Sequence, residues 1–331
     1  MISARQLSYD RNAHDDCDCG RLDGLIVGIV AGWGNYPIEV AKSLKARGAT
    51  VVVAALAGHA SPQLREHADQ FADVGLAKMG AHRRYFRRHG VQRVVLAGKI
   101  FKQRILFGRF GYASVLPDWT TIRTFVPHFI SRRKDGRDDT LLHAVVDFYG
   151  EAGMPVEPGT HYAPHLLAEA GVLTERQPNY AIQKDIEFGW SIAKAMGALD
   201  VGQAITVRDQ AVLAVEAIEG TDACIQRTAV LCKKGGFTLI KVAKPQQDER
   251  FDLPTVGPNT IRAVADARGS AIVIEEGKTI LIDRGETLQL ADQLGVCIVS
   301  LCDYTYAMSR ESDGESYRVR EIVPMASRQN C

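Results

Sequence analysis

Leu25-Ile26-Val27-Gly28-Ile29-Val30-Ala31, followed at once by Gly32-Trp33-Gly34-Asn35-Tyr36-Pro37, decides the fold of this chain. A continuous apolar run with no polar alternation reads as a strand buried on both faces, the mark of a parallel sheet covered by helices. The glycines end the strand. Pro37 suits a first helical position, and Val40, Ala41 and Leu44 share one side of the helix it opens. Gly48 closes that helix and Thr50 to Leu56 is the next strand. Val94-Val95-Leu96-Ala97 repeats the pattern and ends in Gly98-Lys99, a second glycine turn. Asp139 can cap a helix carrying Leu141, Leu142, Val145, Val146 and Tyr149, after which Met154 to Val156 is extended again. Strands alternating with helices predict a Rossmann-like, mostly parallel α/β sheet.

Between Pro164 and Gln183 the pattern weakens, with Pro164, Gly171 and Pro178 breaking it, and this stretch reads as a connection. Beyond it the periodicities change. Ala204 to Val207 and Ala211 to Glu216 read as short strands around a tight polar turn, and Thr221 as the N-cap of a helix from Asp222 to Leu231. Phe237 to Val242 is a strand and Asn259 to Ala267 a short helix. Ala271 to Ile274 with Thr279 to Ile282 reads as a strand pair, and Glu286 to Leu294 with Val296 to Leu301 as a last helix and strand. The second half is therefore a mixed α/β domain.

Composition narrows the function. The 331 residues exceed the usual single-core limit, and 46% hydrophobic with 24% charged residues excludes a mainly disordered chain. A formal net charge of +1 supplies no global field for nucleic acid. No apolar stretch reaches the roughly 20 residues of a membrane-spanning helix, and Met1 to Asp23 lacks the core of a signal peptide. A cytoplasmic protein is expected. Seven cysteines, an odd number, argue against a disulfide framework; Cys17 and Cys19 lie in an acidic stretch that reads as a frayed extension.

The glycine turn after the first strand lacks the dinucleotide fingerprint, because Pro37 takes the third position and Leu56-Ala57-Gly58-His59 offers no acid for a ribose. Gly32 and Gly34 could still present backbone N–H groups to an anion or a base edge, and Gly98-Lys99, with Lys102 and Arg104 nearby, suits a phosphate. Arg83, Arg84, Arg87 and Arg88 form two i,i+4 pairs on one helix, a solvated face or a surface for anionic lipid. The strongest chemical signal is Glu216-Ala217-Ile218-Glu219-Gly220-Thr221-Asp222, where carboxylates crowd a strand-to-helix corner. Such hard oxygen donors fit Mg²⁺ or Mn²⁺, with Arg227 placed to answer a phosphate; simple capping by Thr221 and Asp222 stays open. Lys244, Gln246, Gln247, Asp248, Arg250 and Asp252 then share one loop that suits a diphosphate and its metal.

With these segments read, the chain resembles the LpxI family, the UDP-2,3-diacylglucosamine pyrophosphatases of lipid A synthesis. The resemblance runs from about Leu25 to Leu301 and rests on Gly28-Ile29-Val30-Ala31-Gly32, Ala97-Gly98-Lys99, Asp138-Asp139-Thr140-Leu141-Leu142 and Leu199-Asp200-Val201-Gly202-Gln203-Ala204. The 216–222 motif, Lys244-Pro245-Gln246-Gln247-Asp248 and Asp252-Leu253-Pro254-Thr255-Val256-Gly257 complete it. It implies an N-terminal α/β domain, a C-terminal domain of LpxI type and substrate held between them. It also implies Mg²⁺-dependent cleavage to UMP and 2,3-diacylglucosamine 1-phosphate (lipid X), with water attacking the phosphorus nearer the sugar. The family's essential aspartate falls on Asp222. Two departures stand out: Ile100-Phe101-Lys102-Gln103 replaces an arginine-proline pair, and Arg208-Asp209-Gln210 replaces a hairpin glycine.

The expectation is thus an N-terminal extension (1–22), an N-terminal α/β domain (23–165), a linker (166–183), a C-terminal catalytic domain (184–303) and a tail (304–331). Asp222, Glu219 and Asp248 are expected to hold the metal and carry catalysis. Gly32, Gly34, Gly98, Lys99, Asp139, Thr221, Arg227, Lys244, Gln246 and Gln247 are expected to contact substrate. Lys99, Arg227 and Lys244 would offset phosphate charge. A peripheral contact with the inner membrane and a homodimer are open. The rival readings are a non-catalytic nucleotide or lipid carrier and an NAD-dependent oxidoreductase.

Overall fold

The computed structural model describes residues 20–99, 116–130 and 138–302. Cys17, Cys19, Lys102, Arg104, the 100–103 segment and the Asp139 side chain lie outside the described residues. In the N-terminal half, β1 (Ile26–Ala31), β2 (Thr50–Leu56), β3 (Gln70–Val74) and β4 (Arg93–Ala97) form a parallel sheet in the order β3-β2-β1-β4. The opening apolar run is β1, paired on both edges, with Val27↔Val51 and Val27↔Arg93 fixing its register. Helix α1 (Tyr36–Ala46) buries Ile38, Val40, Ala41 and Leu44 on one face, against Val27, Ile29, Val51 and Val53. The other face carries α2 (Met79–Arg88), α3 (Trp119–Ile130) and α4 (Asp138–Glu151), with Phe86 and Tyr149 packed on Val52, Ala54 and Val94. Strand β3 leaves little trace in the sequence: it is an edge strand, with Gln70 and Asp73 exposed.

After β1 the chain moves outward to β2 and β3, then returns to β4 on the opposite side of β1. The carboxyl ends of β1 and β4 therefore bracket the point where strand order reverses, where open α/β sheets bind ligands. The two glycine turns meet there. Gly32 N–H donates to Ala97 O (2.7 Å), and Trp33 and Lys99 exchange a pair of backbone hydrogen bonds (2.8 Å each). Gly98 has φ +92°, and a Cβ on it would fall 2.8 Å from the Gly32 carbonyl carbon. The amides at Gly32, Trp33 and Lys99 are spent on this contact, so the expectation that the Gly32 turn offers its N–H groups to an anion is corrected at those positions.

A short helix α5 (Gly159–Tyr162) and β5 (Gly171–Val172) lead into the second half. Its six-stranded sheet runs β5-β12-β10-β8-β6-β7, from β6 (Ala204–Arg208), β7 (Ala211–Val215), β8 (Thr238–Lys241), β10 (Ala271–Glu275) and β12 (Cys297–Leu301). β8, β10 and β12 are parallel; β5, β6 and β7 are antiparallel to their neighbours. Helix α6 (Tyr180–Ala198) covers one face through Ile182, Ile186 and Trp190. Helices α7 (Thr221–Leu231), α8 (Pro258–Asp266) and α9 (Arg284–Leu294) cover the other. The predicted pairing of Ala271–Ile274 with Thr279–Ile282 is corrected. Both edges of β10 are occupied by β8 and β12, so β11 (Ile280–Leu281) pairs instead with β9 (Thr255–Val256). The β6–β7 turn places Asp209 and Gln210 at φ 50° and 59°, the pair of positive values that a tight two-residue hairpin requires.

The halves touch at defined points. Ile280 belongs to the N-terminal core, with Leu253 and Ile282 against it, and Asn35 Nδ2 donates to Asp283 Oδ2 (2.8 Å). Replacing Gly98 by Ala should combine a clash with a disfavoured backbone and cost about 2–4 kcal/mol. A urea-unfolding midpoint equal to that of the parent would show that the two turns can separate freely.

Candidate active site

The candidate site is built at the end of β7. Glu216 N–H donates to Ala204 O on β6 (2.8 Å), while Ala204 is also register partner of Lys241, the last residue of β8. Glu216 and Lys241 thus flank one small buried alanine, two strand spacings or roughly 10 Å apart in backbone. The turn at Gly220 (φ +84°) then brings α7 back over this gap. Thr221 Oγ1 donates to Glu216 Oε1 (2.9 Å) and accepts from Lys241 Nζ (3.3 Å), which also donates to Thr255 O (3.2 Å). Glu216 and Lys241 are each 6% exposed, and Glu216 Oε2 has no hydrogen-bond partner. Thr221 is therefore not the N-cap the sequence suggested. Gly220 holds that position, α7 has no side-chain cap, and the Thr221 hydroxyl is committed to the buried pair.

Burial pushes the Glu216 carboxyl above the ordinary carboxylate range, though Lys241 and the Thr221 hydroxyl pull it back. Burial pushes the Lys241 ammonium down, and Glu216 supports its charge. Lys99 opposes that charge, whereas Asp222 and Asp252 favour it, so groups from both halves act on one buried ammonium. Glu219 and Lys244 act likewise on Glu216. The structure therefore brings Lys99, Glu219, Thr221, Asp222 and Lys244 into one electrostatic neighbourhood. Glu216 and Lys241 stand at its centre, neither of them among the site residues expected from the sequence. The one sequence signal for Lys241 is a cation closing an otherwise apolar strand. Asp222 is exposed in the first turn of α7, and Lys99 is exposed at the switch point.

Other expected site residues have partners of their own. Arg227 pairs with Glu219 Oε1 (2.8 Å) and donates to Val215 O (2.5 Å). Lys244 Nζ meets Asp200 Oδ1 at 2.8 Å. Gln246 Nε2 donates to Gly197 O (3.3 Å). Gln247 accepts from Lys244 N–H (2.9 Å) and donates to the Asp252 carbonyl, which gives the loop its shape. Asp248 is gripped by Arg250 through Nε (2.8 Å) and a terminal nitrogen (2.5 Å), with His143 of α4 3.7 Å away and its ring edge-on to Phe251. Asp248 thus joins the polar loop to the N-terminal half.

Comparison with known proteins follows this division. Residues 26–166 match the family model described as LpxI N-terminal domain, and residues 169–299 that described as LpxI C-terminal domain. A Caulobacter vibrioides protein named UDP-2,3-diacylglucosamine pyrophosphatase LpxI is 31% identical over 282 residues, covering 83% of this chain and 97% of that relative. The chain belongs to the LpxI family.

In this LpxI-family chain, no three His, Cys, Asp or Glu side chains among the described residues stand close enough to hold a metal ion. Asp222, Glu219 and Asp248 do not stand together as a ready-made cage. The cause is local: Asp248 faces Arg250 and His143, and Glu219 faces Arg227. On α2, Arg83 lies over the Phe148 ring (5.2 Å) and Arg87 reaches Ala152 O (3.5 Å), whereas Arg84 and Arg88 are exposed. Cys224, Cys232 and Cys297, among the described residues, are free thiols.

The Asp248 contact makes a pH prediction. Burial works to raise its carboxyl, but the hydrogen bonds and charge of Arg250 outweigh this and hold it below the ordinary range. A depressed carboxyl contributes stability above its unfolded value, near pH 4, and loses it as pH falls through the folded value. Unfolding midpoints of the parent should therefore drop below about pH 4 more steeply than those of Arg250→Ala. Parallel pH curves for the two proteins would remove the role given to Arg250.

Proposed function

We propose that this chain is the UDP-2,3-diacylglucosamine hydrolase its family membership indicates, releasing UMP and lipid X with the help of Mg²⁺ or Mn²⁺. The observation that carries this reading is the convergence of Lys99, Asp222 and Asp252 around buried Lys241, which sets an exposed cation for a diphosphate beside carboxylates for a hard metal. The donor set fits such a metal, because Mg²⁺ is commonly held by one or two carboxylates and completed by substrate phosphate oxygens and water. Asp222 would hold it, with Glu219 as second donor once released from Arg227. Bound there, the metal would neutralise phosphate charge and make water more acidic.

The chain's own groups do the rest. Lys99 offsets charge from the N-terminal side and Lys244 from the polar loop, so the diphosphate meets cations on two sides. Arg227, freed from Glu219, can follow the leaving phosphate. Asp222 orients the attacking water. Oxygen from water bonds to the phosphorus nearer the sugar, the bond from that phosphorus to the bridging oxygen breaks, and UMP leaves. The protein forms no covalent intermediate, so orientation and charge supply the rate.

Incubation with UDP-2,3-diacylglucosamine and Mg²⁺ should release UMP, and EDTA should stop it. In ¹⁸O-water the label should enter lipid X rather than UMP. Asp222→Ala should lower turnover by at least about 10³-fold while moving the thermal midpoint by under about 2 °C. Label found in UMP, or a turning-over Asp222→Ala, would falsify the corresponding assignment.

The diacylated substrate also motivates a cytoplasmic protein that meets the inner membrane peripherally. No helix among the described residues is long and apolar enough to cross a membrane. Exposed Arg84 and Arg88, with Trp119 78% exposed on neighbouring α3, would supply the contact. Co-sedimentation with phosphatidylglycerol vesicles should exceed that with phosphatidylcholine vesicles and fall several-fold in Arg84→Glu/Arg88→Glu. Equal sedimentation with both lipids would remove this contact.

A further inference from the structure

Glu216 and Lys241 are an expensive arrangement for a protein core. Each is 6% exposed, and the adjoining residues Ile205, Leu239 and Ile240 are fully buried and apolar. Buried charges of this kind are replaced by apolar pairs with little or no loss of stability, so stability alone does not account for them. The pair is also incompletely satisfied. Glu216 Oε2 is buried without a hydrogen-bond partner, and Lys241 donates to Thr255 O and Thr221 Oγ1 at 3.2 and 3.3 Å, at the long end of the useful range.

What the pair does fix is one hydroxyl. Thr221 Oγ1 stands between the two charges, donating to one and accepting from the other, which sets its rotamer and with it the first turn of α7. That turn has no side-chain cap, so this link takes the place of one. The next residue is Asp222. The remaining groups around Lys241 are Thr255 O and Asp252 from the polar loop and Lys99 from the N-terminal half.

We propose that Glu216 and Lys241 are positioning residues for catalysis: bridged by Thr221, they hold the corner that carries Asp222 in its working orientation. This rests on the reading of Asp222 given above and deepens it. Neither residue needs to touch the reacting atoms. A displacement of about 1 Å at an attacking group can cost about 100-fold in rate, which sets the expected size of the effect.

The test is the neutral pair Glu216→Gln/Lys241→Met in the full chain, assayed with UDP-2,3-diacylglucosamine and Mg²⁺. Its thermal midpoint should match or exceed that of the parent, and each single variant should melt lower, because one buried charge is then left alone. kcat should fall about 100-fold with KM within about threefold, since the substrate's own contacts remain. Thr221→Val should reproduce the kcat loss and Thr221→Ser should recover it to within about fivefold, because only the hydroxyl matters to the link. A double variant with kcat within about threefold of the parent overturns the proposal, and so does a fully active Thr221→Val if the double variant does not fold. Asp222→Ala separates the two failures. If it retains turnover, the reading of Asp222 falls. If it is inactive while the neutral pair works normally, the positioning role alone is wrong.

Discussion

A carboxylate and an ammonium buried on either side of Ala204 impose the constraint on which the C-terminal half is organised. Neither charge is tolerable alone at that depth, so β6, β7, β8 and the first turn of α7 must arrive together. Their meeting is set by register. Ala204 accepts the Glu216 amide and pairs with Lys241, and the Thr221 hydroxyl bridges the two side chains. A slip of one residue in either strand pairing would send a charge to the α6 face, among Ile182, Ile186 and Trp190. The same pairs that define the sheet thus locate the corner on which Asp222 sits.

The N-terminal half contributes differently. Its switch point is the usual place for a ligand in such a sheet, yet the backbone amides of Gly32, Trp33 and Lys99 are used in closing β1 onto β4. Recognition through those amides, the device of dinucleotide-binding turns, is removed, and what remains at that edge is side-chain chemistry led by Lys99. This also accounts physically for the departure from a dinucleotide fingerprint. Glycine at 98 serves the tight approach of two loops, with Gly32 backbone where a side chain would stand, rather than the approach of a pyrophosphate.

Strands β1, β2 and β4 were legible because burial on both faces leaves an unbroken apolar run. Strand β3 was not, since an edge strand with Gln70 and Asp73 outward has no such run. Helix α6 was hidden because its inward face includes Asp185 and Gly189 among the apolar residues, which blurs the helical stripe. The partner of β11 depends on which sheet edges are already taken, and adjacent sequence carries no record of that. At the site, Glu219, Asp222, Lys99 and Lys244 were legible as charges at chain corners. The importance of Lys241 was not, because its partners come from residues 216, 221 and 255, brought in by register. Asp248 illustrates the converse. A loop rich in polar residues announces charge, but whether a carboxylate faces a ligand or the arginine two residues onward is decided by backbone geometry.

The sparse carboxylate set has a consequence for the proposed chemistry. A cage of three or more protein ligands would hold a hard cation whether or not substrate were present. With no such group among the described residues, much of the coordination of the proposed cation would fall to the diphosphate, and cation and substrate would bind most tightly together. At rest Asp222 is exposed, Glu219 lies against Arg227 and Lys244 against Asp200. Arrival of phosphate gives Arg227 and Lys244 a more highly charged partner than the carboxylate each holds at rest. In the proposed chemistry the event that draws Arg227 away would also release Glu219 toward the cation, making the resting ion pair and the working site two settings of one set of charges.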